Sequence, residues 1–320
     1  MTYEQFYNLT MQPFSNSPDG RFYCPTSQHQ QAIIRMMYAA YAMKGLALLV
    51  GGIGCGKTTL SRRLLNELSP DEYETGLLVI VHANITAHWL LRKIASQLGV
   101  QDPKEEKIDL LNQIFHRLME IHDEGKKAVI IIDEANMLNT RELMEEFRGL
   151  LNMELPGRKL ITFILVGLPE LEDHLALDEP LKQRVAVRFS LQALLPDGVK
   201  EYIQHRLSVA GGNPNTFSDE AIKLIYRTSR GVPRVINTIC DNALFEGYLL
   251  QKPIIDAELI RTVCISLGLI QPEYQRKVAQ LKTKVAKLKA TRQHRQKATP
   301  AGSGESGARQ QVRVPASNSQ

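Results

Sequence analysis

The sequence predicts an α/β protein, a doubly wound domain on a five-stranded parallel sheet followed by an all-helical unit. Three observations carry this. Five short apolar runs punctuate about the first 190 residues, with polar, helix-patterned stretches between them. The runs are continuous rather than alternating, which suits strands buried on both faces. From about Leu194 onward, only three- and four-residue apolar spacing remains.

The first run is "LALLV" (46–50), followed at once by "GGIGCGKTT" (51–59) and the amphipathic pattern "LSRRLLNEL". The others are "LLVIVHA" (77–83), with Asn84 closing that second strand, "AVIIID" (128–133), "LITFILVG" (160–167) and "VAVRFSL" (185–191). The helical unit reads as "DGVKEYIQHRLSVAG", "SDEAIKLIYRTSRG", "VPRVINTICDNALFEGYLLQ" and "DAELIRTVCISLG". Asp197, Ser218 and Asp256 are expected N-caps, and Gly211 and Gly231 expected stops. The expected domains are 1–193 for the sheet, including an opening segment 1–45, and 194–270 for the helices. A basic amphipathic helix is expected over 271–298, with Val278, Leu281, Val285 and Leu288 on one face, and a disordered Gly/Ser-rich end over 299–320.

Composition excludes several classes. The 320 residues are 43% hydrophobic and 23% charged, ordinary globular values. Cys24, Cys55, Cys240 and Cys264 form no Cys-x-x-Cys pair and read as separate thiols of a reducing compartment. The opening "MTYEQFYNLTMQPF" has no secretory pattern, and no run reaches the roughly 18 apolar residues of a membrane helix, so a soluble, cytoplasmic protein without membrane insertion is expected. The net charge of +5 is unevenly placed: from Gln271 on, 11 Lys and Arg face two acidic residues, while the rest of the chain is mildly acidic.

Gly51-x4-Gly56-Lys57-Thr58 has the phosphate-loop pattern in its required strand-to-helix context. Glycines at 51, 52, 54 and 56 let backbone N–H groups, including those of Ile53, Cys55 and Thr59, close around a phosphate without Cβ clashes. Lys57 neutralises β/γ oxygens and Thr58 offers a hydroxyl to Mg²⁺. A glycine-rich turn without a ligand is the bland alternative to that pattern alone. "VIIIDEA" (129–135) argues against it: Asp133 is placed to hold Mg²⁺ and Glu134 to polarise an attacking water. The pair predicts an ATP-hydrolysing enzyme with ATP and Mg²⁺ as ligands. Arg184, just before the fifth run, reads either as a finger into a neighbouring subunit or as an ordinary surface ion pair. Arg234, opening a helix of the second unit, reads either as a contact to the γ-phosphate in its own chain or as the same surface pair.

Phosphate loop, Asp-Glu strand, "QR" before the fifth strand, and "GVPR" in a helical lid together resemble the AAA+ ATPases, in particular the ATPase domain of the ExeA type (general secretion pathway protein A). "FYNL", "PFS", "PDGR" and "SQHQ" match that family's opening, and "GVPRVINTICDNAL" its lid. The resemblance covers roughly residues 1–268. It implies a P-loop AAA+ sheet domain with a C-terminal helical lid, Arg184 as a finger in trans, Arg234 as the lid sensor, Asn84 as the residue gating Glu134, and Ser27 and His29 near the adenine. The chain departs from the family at Leu168, where a polar side chain is usual, which leaves the first sensor unassigned and slow hydrolysis an open reading.

For the process served, two readings stand. One is an oligomeric ATPase, forming an ATP-promoted ring or filament, that acts on double-stranded DNA through its basic tail (276–297) beside a transposase, as a transposition helper does. The alternative is an ExeA-like cytoplasmic assembly ATPase for a secretion or pilus machine, the tail docking on a protein. A further expectation concerns Cys55: a thiol at a helix N-terminus beside Lys57 should have a lowered pKa and react readily.

Overall fold

The computed structural model describes residues 2–17, 19–82 and 84–272. The chain opens with a short helix α1 (Tyr3–Phe6), continues as a strap of turns with one 3-10 turn (Gly20–Phe22), and enters α2 (Ser27–Tyr41), capped by the Thr26 hydroxyl. Strand β1 (Leu46–Gly51) leads into α3 (Lys57–Glu67), β2 (Tyr73–Val79), α4 (Ala87–Gln97), α5 (Lys107–Asp123) and β3 (Lys127–Asp133). Then come α6 (Arg141–Leu150), a two-residue hairpin β4 (Glu154–Leu155) and β5 (Arg158–Lys159), and β6 (Ile161–Gly167). Short helices α7 (Leu171–Leu175) and α8 (Glu179–Lys182) precede β7 (Val185–Leu191).

The five long strands pair in parallel in the order β2-β3-β6-β1-β7. The three central strands are buried on both faces, while edge strand β7 alternates half-buried and exposed side chains, as one-sided cover dictates. Alternate residues of each strand feed two cores. Leu48, Ile130, Phe163 and Leu165 pack under α4, α5 and α6, with Phe147 edge-on to Phe163 at 5.2 Å. Leu49, Ile131, Ile164 and Val166 pack under Ala32 and Met36 of α2 and Leu60 and Leu64 of α3. Because all five strands are parallel, their C-terminal ends share one edge, and β1, β3 and β6 bring Gly51, Asp133 and Gly167 to it.

The helical lid consists of α9 (Pro196–Val209), α10 (Asp219–Ser229), α11 (Pro233–Leu249) and α12 (Ala257–Ser266). Ser218 and Asp256 cap α10 and α12 through their side chains. Gly231 ties the start of the lid to the turn before α11: at φ +75° its C=O accepts from Leu194 N–H at 2.8 Å, and an added Cβ would lie 1.9 Å from the Leu194 oxygen. No other residue fits there.

Four expectations change. The second strand spans 73–79 rather than 77–83, because β3 ends at Asp133 and offers Val81 no partner; that side chain is 81% exposed. Asn84 therefore lies beyond the strand, on an exposed loop. Asp197 is not an N-cap: Leu195 holds that position, Pro196 takes the first helical position, and Asp197 sits in the first turn. The opening segment divides in two. Helix α2 packs on the sheet, but Tyr7, Leu9, Phe14 and Phe22 enter the core of the lid, and Thr10 N–H donates to Ala210 C=O at 2.8 Å. The basic amphipathic helix and the Gly/Ser-rich end lie outside the described residues, apart from Gln271 and Pro272. Among the described residues no helix is long and apolar enough to cross a membrane, and no cluster of three His, Cys, Asp or Glu is placed to hold a metal.

Candidate nucleotide site

A cleft of about 370 Å³ opens above the strand ends, between the loop after β1, the first turn of α11 and the strap. The loop's shape follows from its glycines: Gly54 and Gly56 are left-handed at φ +76° and +99°. At Gly54 a Cβ would also approach the Arg234 Cβ to 2.8 Å, so the missing side chain is what lets the lid seat there. The Arg234 N–H donates to Gly54 C=O at 3.3 Å, and Arg234 lines the cleft.

Lys57 begins α3, and its Nζ donates to the carbonyl oxygens of Gly51 (2.9 Å) and Gly52 (3.1 Å). Burial pulls its pKa below the ordinary Lys value; the carboxylates of Glu134 and Asp133 oppose that shift. Ile53, Gly54, Cys55, Gly56, Thr58 and Thr59 line the same wall.

Asp133 ends β3 and is 1% exposed. Its Oδ1 accepts from the Glu134 N–H at 3.0 Å, while its Oδ2 is buried with no hydrogen-bond partner. An unpartnered buried carboxylate oxygen is costly unless a cation or water meets it. Thr58 lines the cleft, and a hydroxyl beside a carboxylate oxygen is all-oxygen donor chemistry that fits Mg²⁺. Glu134 leaves the strand at φ +55°, a left-handed backbone uncommon outside glycine, and lines the cleft.

His29 is buried and lines the cleft beside the loop. Its Nδ1 lies 2.5 Å from the Thr26 hydroxyl, its Nε2 lies 3.4 Å from where a Gly56 Cβ would stand, and the ring bonds to the Cys55 backbone. Burial lowers its pKa.

Three sequence-named residues stand apart. Ser27 is exposed in the first turn of α2, and Thr26 makes the cap instead. Asn84 is on the exposed loop, and the Arg184 Nη1 donates to Asn152 Oδ1 at 2.7 Å, away from the cleft wall. Cys55 departs from expectation in chemistry: the thiol is 5% exposed, and burial pushes its pKa up despite the opposing Lys57 charge.

Sequence reasoning missed Asn136, two residues past Glu134. It is buried on the cleft wall, and its Oδ1 accepts from Leu168 N–H at 3.1 Å. Leu168 lines the cleft with an apolar side chain, so the polar group at this wall is Asn136. Also missed were Asn16, Tyr202, Arg206 and Asn237, which form the far end of the cleft. "PFSN" beside a lid Arg was too weak a signal to join residues so distant in sequence.

Comparison with known proteins agrees with this geometry. Residues 42–175 match the family model described as an AAA domain. General secretion pathway protein A of Aeromonas hydrophila is 34% identical over 249 residues, covering 77% of this chain; the chain spans 45% of that relative's length. The ORC2 protein of Aeropyrum pernix superposes with a TM-score of 0.59 at 15% identity, covering 79% of this chain and 70% of that one. The Thermotoga maritima RuvB Holliday junction branch migration motor superposes at 0.51 and 19% identity, covering 82% and 77%. At such identities these structures establish the shared fold. The chain thus carries an AAA+ ATPase domain related to general secretion pathway protein A.

Proposed function

We propose that this chain is an ATP-hydrolysing oligomeric switch of the ExeA kind, working in the cytoplasm to drive assembly of a secretion or pilus machine. The observation that carries the ATPase reading is the convergence on one strand edge of Lys57, the unpartnered Asp133 Oδ2 and Glu134, with Arg234 pressed against the loop from the lid. The 34% identity to general secretion pathway protein A supports the process, more directly than any fold likeness does.

In this reading the loop amides and Lys57 hold the β- and γ-phosphates, Lys57 giving up its carbonyl partners to do so. Asp133 and Thr58 would hold Mg²⁺, which when bound neutralises charge on the triphosphate oxygens. Glu134 orients a water and accepts its proton as the water oxygen bonds to the γ-phosphorus and the bond to the β–γ bridging oxygen breaks, leaving ADP and phosphate. Arg234 donates to the γ-phosphate in its own chain. Arg184, away from its own cleft, serves a neighbouring protomer's, which requires an ATP-promoted ring or filament. Asn136 supplies the polar side chain that Leu168 lacks. His29 backs the loop, whereas Ser27 and Asn84 have no contact to recommend them.

Calorimetry with Mg-ATP tests the core: wild-type protein binds, Lys57→Ala binds about a hundredfold more weakly, and absence of heat with wild type overturns the reading. A second reading rests on the basic run 276–297, outside the described residues: a helper loading onto double-stranded DNA beside a transposase. ATP-dependent binding of duplex DNA at low salt, lost on deleting residues 273–320, supports it; undiminished binding after deletion removes the tail's role.

A further inference from the structure

The far end of the cleft is made by the strap, and the strap is fastened to the lid rather than to the sheet. Arg206 of α9, buried, donates through Nε to the Pro13 carbonyl, through Nη2 to the Ser15 carbonyl at 3.2 Å, and through Nη1 to the Tyr202 hydroxyl at 2.7 Å. Its guanidinium also lies 4.8 Å from the Phe22 ring centroid. Tyr202 in turn donates to Asn237 Oδ1 at 2.9 Å. Asn16 closes the circuit. Its Oδ1 accepts from Asn237 Nδ2 at 3.2 Å, and its Nδ2 donates to the Thr238 hydroxyl at 3.2 Å. That hydroxyl donates to the carbonyl of Arg234, 3.0 Å away. The strap is therefore tied, through Asn16 and Thr238, to the turn of α11 that begins with Arg234.

The phosphate end of the cleft is complete without the strap, since the loop, Asp133, Glu134 and Arg234 come from the sheet edge and α11. The strap instead walls the opposite end with Ser15, Asn16, Ser17 and Phe22. A nucleotide anchored by its phosphates at Lys57 presents its nucleoside to that wall. Both ends of one ligand then meet one rigid piece, because a helix is stiff and Asn16 hangs the strap on the helix that carries Arg234.

We propose that Asn16 is a positioning residue for the nucleoside end of a nucleoside di- or triphosphate, acting by holding the strap to α11 through Thr238 and Asn237. The inference rests on the nucleotide-binding reading above. Asn16 and Thr238 are both exposed in part, and neither fills a core, so their replacement leaves the fold in place.

The experiment measures binding of Mg-ATP, Mg-ADP and inorganic tripolyphosphate by calorimetry, and steady-state ATP hydrolysis, on wild type, Asn16→Ala, Thr238→Val and the double variant. Thr238→Val, which cuts one bond to Asn16, is expected to raise the ATP and ADP dissociation constants about fivefold, and Asn16→Ala, which also cuts the bond to Asn237, at least as much, with tripolyphosphate binding unchanged. KM for ATP rises with kcat unchanged, and the double variant is no worse than Asn16→Ala, which already lacks the bond that Thr238→Val cuts. Equal weakening of tripolyphosphate, or no change in ATP affinity, overturns the proposal. So does a double variant clearly worse than Asn16→Ala, which would give Thr238 a role outside this link. Failure of wild type to bind ATP and tripolyphosphate alike refutes instead the nucleotide reading beneath it.

Discussion

The two ends of the cleft are built in opposite ways. At the phosphate end, nine consecutive residues fold on themselves: two left-handed glycines, a lysine returning to the carbonyls of Gly51 and Gly52, and a helix starting at once. At the end walled by the strap, nearly every bond crosses a long stretch of chain, Pro13 to Arg206 and Asn16 to Asn237 among them. The first end is local chemistry that the backbone dictates. The second exists only once the lid has packed, so its geometry reports on the lid's position.

That contrast can be broken or sharpened by measurement. The largest effect is expected at the phosphate end: Glu134→Gln should lower kcat about a thousandfold with ATP binding retained, in a multiple-turnover assay beside calorimetry. Equal rates would remove Glu134 from the chemistry. Next, Lys57→Ala should weaken ATP binding roughly a hundredfold, tripolyphosphate as much as ATP, because its partners are phosphates.

At the other end, removing Arg206 acts on stability instead. Arg206→Leu leaves the carbonyls of Pro13 and Ser15 without their donor and should cost about 2–3 kcal/mol, read from the urea midpoint. Amide exchange should rise first in the strap and α9, with tripolyphosphate still bound by the folded fraction. An unchanged midpoint would mean that the lid holds the strap by apolar contacts alone.

Two smaller effects test how closed the phosphate end is. Alkylation of Cys55 near pH 8 should run several-fold slower than for a free thiol, since burial raises its pKa; a faster rate would show the loop open to solvent. His29 is held neutral by burial, its pKa below the ordinary 6.5. The unfolded chain then binds the extra proton first, so stability is full above pH 6.5 and is lost as pH falls through the lowered pKa. His29→Gln should flatten that part of the stability–pH curve. An unaltered slope would acquit His29 as its source.

Legibility in the sequence followed the same division. The central strands at 46–51, 127–133 and 161–167 were plain, because strands buried on both faces must be apolar throughout. Strand β2 was misplaced by four residues because the apolar run "LLVIVHA" continues past the end of its partner, and pairing, not hydropathy, ends a strand. In the site, the loop, Asp133 and Glu134 were named from motif and context, and Arg234 was singled out by the family resemblance. Asn136 was hidden inside "DEANM", where nothing marks which polar side chain turns inward. The thiol of Cys55 was misjudged because the helix N-terminus and the lysine are visible in sequence, whereas the desolvation that outweighs them is not.

What the residues determined alone is the phosphate loop, the parallel order of apolar strands and the change to helices after Leu194, all properties of dihedral preference and short-range periodicity. Only the tertiary structure decided that Tyr7, Leu9, Phe14 and Phe22 fasten to the lid, that Asn16 stands two hydrogen bonds from the Arg234 backbone, and that Arg184 lies off its own cleft. Those depend on which distant surfaces find complementary shape and matched donors, and no local pattern in a chain encodes its own long-range neighbours.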